Sequence, residues 1–167
     1  MPPKGNPSPK PPSSSGIPSA DSLWLPPHQG KEIKRKGGLD PNVHWAVEDV
    51  VDFIFPRRYQ PTYHIVACDF LNLVLASKRV GKKEISEFLQ TTGHSKSTLE
   101  NKVVPKLARF GLIKRERLAM GTMGRGRPLV VSESLTFSNY LSRIAGAWNV
   151  NVVTARKKKG VEADDGF

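Results

Sequence analysis

The chain has 167 residues, enough for one domain with a real core but not comfortably for two. It carries a formal net charge of +11 and a single cysteine, Cys68, so an intrachain disulfide scaffold is excluded and Cys68 reads as a buried small hydrophobe. No apolar run is long enough to span a bilayer, and the N-terminus is rich in proline and serine rather than apolar. The expectation is therefore a cytoplasmic, nucleoid-associated protein, or a nuclear one if the source is eukaryotic, with no membrane partner.

Residues 1–39 are rich in Pro, Ser, Gly and Lys, offer little to bury, and read as a disordered arm. Two features stand out in it. The island LWLPP, Leu23 to Pro27, suits either a docking peptide or a cluster that touches the domain. The basic run KEIKRK, Lys31 to Lys36, suits either loose phosphate contact or a solubilising linker.

Ordered structure is expected from Asp40. DPN offers an N-cap followed by proline at the first helical position, and VHWAVEDVVDFIF then spaces Val43, Val47, Val50 or Val51, and Ile54 as a helix that Pro56 stops. A second, mostly buried helix follows Pro61 and runs to about Ser77. A third, short helix opens at Gly81 and stops at Gly93, with Ile85, Phe88 and Leu89 on a narrow apolar face.

The segment HSKSTLENKVVPKLARFGLIKRER carries the most information. Ser95 or Ser97 can cap a helix, and Glu100 follows Ser97 at capping-box spacing. Leu99, Val103, Leu107 and Phe110 share one face. The opposite face holds Lys96, Glu100, Asn101, Lys102, Lys106 and Arg109. Pro105 deletes one helical hydrogen bond, which predicts a kink without a break, because the apolar register continues through it. Gly111 ends the helix, and LIKRERL alternates as a strand does. A Gly/Arg loop and the apolar run LVVSESL complete a hairpin. A last helix spaces Leu135, Tyr140 or Leu141, Ile144 and Trp148, and residues 151–167 read as a charged, flexible tail. The domain is thus placed at 40–150.

Charge is concentrated where these elements meet. Between Lys78 and Arg127 stand thirteen basic residues against four acidic ones, whereas from Ala46 to Ser77 two arginines face Glu48, Asp49, Asp52 and Asp69. A positive field confined to one segment suits a polyanion. The fold class expected is mainly α with a small β-hairpin: two helices, a turn, a polar-faced helix, a strand, a basic loop and a strand make a winged helix-turn-helix. A helix of this kind fits the major groove and reads base edges from its N-terminal end, where the helix dipole also favours phosphate.

The residues Ser97-Thr98-Leu99, followed by Leu107-Ala108-Arg109-Phe110-Gly111-Leu112-Ile113-Lys114-Arg115, resemble the recognition helix and first wing strand of MarR-like and ArsR-like winged-helix regulators. Gly126-Arg127-Pro128 and Leu135-Thr136 resemble that family's wing turn and the Leu-Thr pair after its second wing strand. The resemblance covers about Ile65 to Ile144; Pro105 and the segment before Pro56 depart from it. It implies a double-stranded DNA partner, with DNA-binding roles for Ser95, Lys96, Ser97, Thr98, Asn101 and Lys102 on the helix and for Arg125 and Arg127 on the wing. Arg125-Gly126-Arg127-Pro128 also resembles an AT-hook, whose arginines lie in a narrow minor groove. The function expected is sequence-specific DNA binding by a transcription regulator.

The alternative is a winged-helix assembly or docking subunit whose partner is a transcription-machinery or ribosomal protein. Such a module would tolerate Arg127→Ala and Lys96→Ala. A homodimer over paired half-sites would use the helices at Val43 to Phe55 and Leu135 to Trp148, whose apolar residues equally suit a core. Catalysis is not expected, and neither is a cofactor or a metal. His28, His44, His64 and His94 are scattered, Asp49 and Asp52 read as a solvated face, and Gly121, Gly124 and Gly126 do not match a phosphate-cradling loop.

Overall fold

A computed structural model describes residues 19–117 and 128–160 of the chain. It is mainly helical with one small two-stranded antiparallel hairpin. The order is α1 (Lys31–Arg35), α2 (Val47–Val51), α3 (Pro61–Ala76), α4 (Lys82–Thr92), α5 (Lys96–Thr98), a π turn (Leu99–Val103), α6 (Val104–Arg109), β1 (Ile113–Arg117), β2 (Leu129–Glu133) and α7 (Thr136–Lys158).

The core is built around α3, which presents Val66, Ala67, Phe70, Leu71 and Val74 to its neighbours. Onto these pack Val51, Ile54 and Phe55 from the α2 region, Phe88 from α4, and Leu99, Val103 and Leu107. Phe70 meets Phe88 edge-on at 5.9 Å. Of the apolar stripe expected at Leu99, Val103, Leu107 and Phe110, the first three are completely buried and Phe110 is half-buried.

α5, the π turn and α6 form one continuous helical rod over residues 96–109. Pro105 does not interrupt it, and the chain adapts one residue earlier. The Val104 N–H donates to the Leu99 carbonyl, five residues back, immediately before the proline that offers no N–H. Ser95, rather than Ser97, supplies the cap: its Oγ accepts from the Thr98 N–H at 3.3 Å. Gly111 ends the rod at φ 76°, and glycine is required there twice over, since a Cβ would also lie 2.7 Å from the Thr136 side chain. The same contact fixes the start of α7, whose Phe137 N–H donates to the Gly111 carbonyl at 3.0 Å.

β1 and β2 pair from Ile113 opposite Glu133 to Arg117 opposite Leu129. The connection after α3 adds to this hairpin, because Val80 and Val131 exchange both backbone hydrogen bonds at 2.8 Å.

Three expectations are corrected. Residues 19–39, read as part of a disordered arm, are folded against the domain. Ile33 is buried, the Trp24 N–H donates to the Phe53 carbonyl at 2.7 Å, and the Trp24 ring meets Tyr59 edge-on. LWLPP is therefore a cluster touching the domain. The helix expected from Asp40 begins at Val47 instead. Asp40 Oδ1 accepts from the N–H of Asn42 at 2.9 Å, which makes DPN a turn, and Ala46 opens the helix by donating its N–H to Asp49 Oδ2 at 3.0 Å. Finally, α7 continues to Lys158, past the boundary set at residue 150.

Candidate nucleic-acid interface

The rod over 96–109 is held to the core by one face, which leaves the other to solvent. Ser95, Lys96, Ser97, Asn101 and Lys102 are exposed and Thr98 is half-buried, so six of the expected DNA contacts lie together at the N-terminal half of one helix. They are already ordered by local bonds. Asn101 Nδ2 donates to Ser97 Oγ at 3.1 Å, and Lys96 Nζ lies 4.0 Å from Glu100 Oε1, one turn on. His94 sits just before this cap and contacts Asp69 Oδ2 through Nε2 at 2.7 Å, tying the turn between α4 and α5 to α3. Arg125 and Arg127 lie outside the described residues.

Other exposed cations lie on neighbouring elements. Lys82 and Lys83 open α4, and Lys114, Arg115 and Arg117 are exposed on β1. Lys114 holds Glu116 at 2.9 Å and keeps its carboxyl below the usual carboxylate range. The charge available to a polyanion is therefore smaller than the count of lysines and arginines suggests.

The other end of the basic segment behaves differently. Lys106, expected on the outer face, is buried: it is 5% exposed, and its ammonium lies 5.1 Å from the centre of the Phe55 ring. Burial pulls its pKa down to about 8, opposed only by the charge of Asp21. A signal for this was present, since Lys106 follows Leu99 by seven residues, two helical turns, and so borders the apolar stripe.

The acidic segment is used internally. Asp49 and Asp52 do not form a free solvated face but grip Lys36 Nζ at 2.7 and 2.8 Å. Burial opposes these charges, yet the hydrogen bonds outweigh it, so that Lys36 is raised and Asp49 lowered. Lys36 of the KEIKRK run is thus answered within the fold.

Sequence spacing also missed a buried cluster. His64 Nδ1 lies 3.0 Å from the Phe55 carbonyl and 3.2 Å from Asp52 Oδ1, while Nε2 faces Arg57 Nη2 at 3.0 Å and Cys68 Sγ at 3.5 Å. Arginine can only donate, so Nε2 accepts and the neutral ring carries its proton on Nδ1. An acid, an imidazole and a thiol in a row suggest nucleophilic chemistry by order alone. Burial nevertheless pushes the Cys68 thiol up to about 12, leaving it protonated at neutral pH. The geometry is that of a network joining α2 to α3. Among the described residues, no group of three His, Cys, Asp or Glu side chains is placed to hold a metal ion, and no helix is long and apolar enough to cross a membrane.

No protein-family model, no curated protein and no solved structure matches this chain.

Proposed function

We propose that this protein is a winged helix-turn-helix regulator that binds double-stranded DNA in a sequence-specific way. The helix over 96–109 enters the major groove, and the hairpin loop carrying Arg125 and Arg127 reaches the flanking minor groove. The observation that carries this reading is the division of the 96–109 helix. Leu99, Val103 and Leu107 are wholly buried, while the hydroxyls, amide and ammonium groups of Ser95, Lys96, Ser97, Asn101 and Lys102 are exposed on a rigid support. Those residue types hydrogen-bond phosphates and base edges. The Leu112 N–H donates to the Leu107 carbonyl and the Leu112 carbonyl accepts from the Ser134 N–H, which supports the same reading because it ties the helix to the hairpin.

α7 is assigned to a second copy of this chain. Its 23 residues make a helix about 34 Å long in which no residue is buried. Leu141, Ile144 and Trp148 repeat at intervals of three and four, and Trp148 is 67% exposed. Val150, Val152, Val153 and Thr154 are poor formers of an isolated helix, so α7 gains from being covered. Its central flanks are Ser and Asn, which do not repel a copy of themselves. In an antiparallel pair the basic ends at Arg156 to Lys158 lie farther apart than the roughly 10 Å over which salt leaves charges coupled. A two-fold dimer also suits paired half-sites.

Binding to a duplex should weaken steeply with added salt, since each phosphate contact releases counterion. Asn101→Ala and Lys96→Ala should each cost about 1–3 kcal/mol on a preferred site and less on random duplex. Fluorescence anisotropy across a salt series measures both. Equal losses on the two duplexes would reduce these residues to phosphate contacts. Unchanged, salt-insensitive binding would favour the assembly reading instead.

A further inference from the structure

Two recesses lie on the described surface, and they differ in how their charges are answered. The larger, of about 500 Å³, runs between the Trp24–Lys36 segment and the Asp49–Arg58 segment, and its half-buried lysine, Lys36, is held by two carboxylates. The smaller, of about 370 Å³, lies between the 96–109 helix, Phe55 and the start of α3, and its buried ammonium is Lys106. Among the described residues Lys106 has no salt bridge and no side-chain hydrogen bond, only the face of Phe55.

A lysine 95% out of solvent with no anion beside it is costly to keep, because an ammonium taken from water is compensated only by pairing or by losing its proton. The other charges around the recess do not compensate it. Asp21 is taken by Arg109 at 2.8 Å, and Lys102 adds a second positive charge at the rim. Gln60, also on the wall, has a buried Oε1 with no hydrogen-bond partner, an acceptor that calls for a donor on the ligand and not for its anion. The remaining walls include Phe55, Tyr63 and Pro105, which offer apolar contact. The recess is therefore concave, of ligand size, largely apolar and short of negative charge.

We infer that this recess binds a small organic molecule through one oxyanion group, a carboxylate or a phosphate, which pairs with Lys106 while its body packs on Phe55 and Tyr63. With Arg109 answered by Asp21, Lys106 inside and Lys102 at the rim leave the recess positive, which calls for a negative group at Lys106, and a volume of about 370 Å³ is more than a bare ion fills. The site stands without the DNA-binding reading. Its consequence rests on that reading: Asn101 and Lys102 line this recess and belong to the proposed DNA face, so a bound ligand competes for them and lowers DNA affinity.

The test uses the full chain without DNA. The side-chain resonance of Lys106 is followed by NMR through a pH titration, alone and with inorganic phosphate, butyrate or hexanoate. Lys102, Arg109 and Tyr63 line the same recess and Asp21 acts on Lys106 through its charge; all four are present in every condition compared. Pairing with an anion moves the Lys106 midpoint up from about 8 toward the ordinary lysine value of 10.5. A larger shift with hexanoate than with butyrate assigns the body to the apolar wall. A shift with phosphate alone assigns the site to a phosphate group. Lys106→Met, whose shape is kept while its charge is lost, should abolish calorimetric binding of the active probe. An unmoved midpoint with all three probes, or binding retained by Lys106→Met, overturns the proposal.

Discussion

The helix over 96–109 and α7 are both amphipathic, and they dispose of their apolar faces in opposite ways. The first turns Leu99, Val103 and Leu107 into its own core and gives its polar face to solvent. The second leaves Leu141, Ile144 and Trp148 in solvent and buries nothing. An apolar stripe thus states that a face will be covered, and the rest of the chain decides whether its own domain or another molecule covers it. The first helix presents polar groups from a buried base; the second presents apolar ones.

The sharpest way to break this contrast is to remove the anchor of the first helix. Leu107→Ala empties a fully buried position and should destabilise the domain by about 2–5 kcal/mol, seen as a lower midpoint in urea. A loss under 1 kcal/mol would mean that the helix is loosely seated. The counterpart on α7 is Ile144→Asp. It should leave the stability of the domain unchanged and weaken self-association by on the order of 3 kcal/mol, counting both copies of the side chain. Sedimentation equilibrium measures this, and a wild-type chain that is monomeric at micromolar concentration removes the dimer.

Lys106 provides a smaller, pH-dependent effect. Its folded pKa, about 8, lies below the ordinary 10.5, so between those values the unfolded chain holds a proton that the folded chain has shed, and stability rises with pH across that window. Below pH 8 the cost of the buried ammonium is present in full. Lys106→Met should therefore be more stable than wild type by on the order of 2 kcal/mol at pH 7, with a gap that closes toward pH 10.5. A pH-independent gap would place the lysine outside the buried environment described. The smallest effect is at the cap. Ser95→Ala removes one exposed bond to the Thr98 N–H and should cost about 0.5–1 kcal/mol.

Much of the fold was legible in the sequence. Pro61, Gly93 and Gly111 mark boundaries because each has a stereochemical role that few residues share, and Gly93 and Gly111 do adopt the left-handed conformation. Leu99, Val103 and Leu107 were legible from period alone. The misses depended on competition between partners. Asp40 bonds Asn42 rather than capping a helix, a choice that spacing does not distinguish. Lys36 is drawn into the fold by Asp49 and Asp52, thirteen and sixteen residues away, so a run that reads as solvated in isolation becomes ordered. Lys106 was assigned by its charge to the outer face, although its position two turns from Leu99 borders the core. The six candidate DNA contacts on the helix follow from position and type; five of them are exposed and Thr98 is half-buried.

The central claim is that the exposed face of the 96–109 helix reads DNA sequence, and selection of bound duplexes from a random pool tests it most directly. The account predicts an enriched motif with two related halves, lost or relaxed when Asn101 is replaced by alanine. A pool that emerges from selection without enrichment would contradict it.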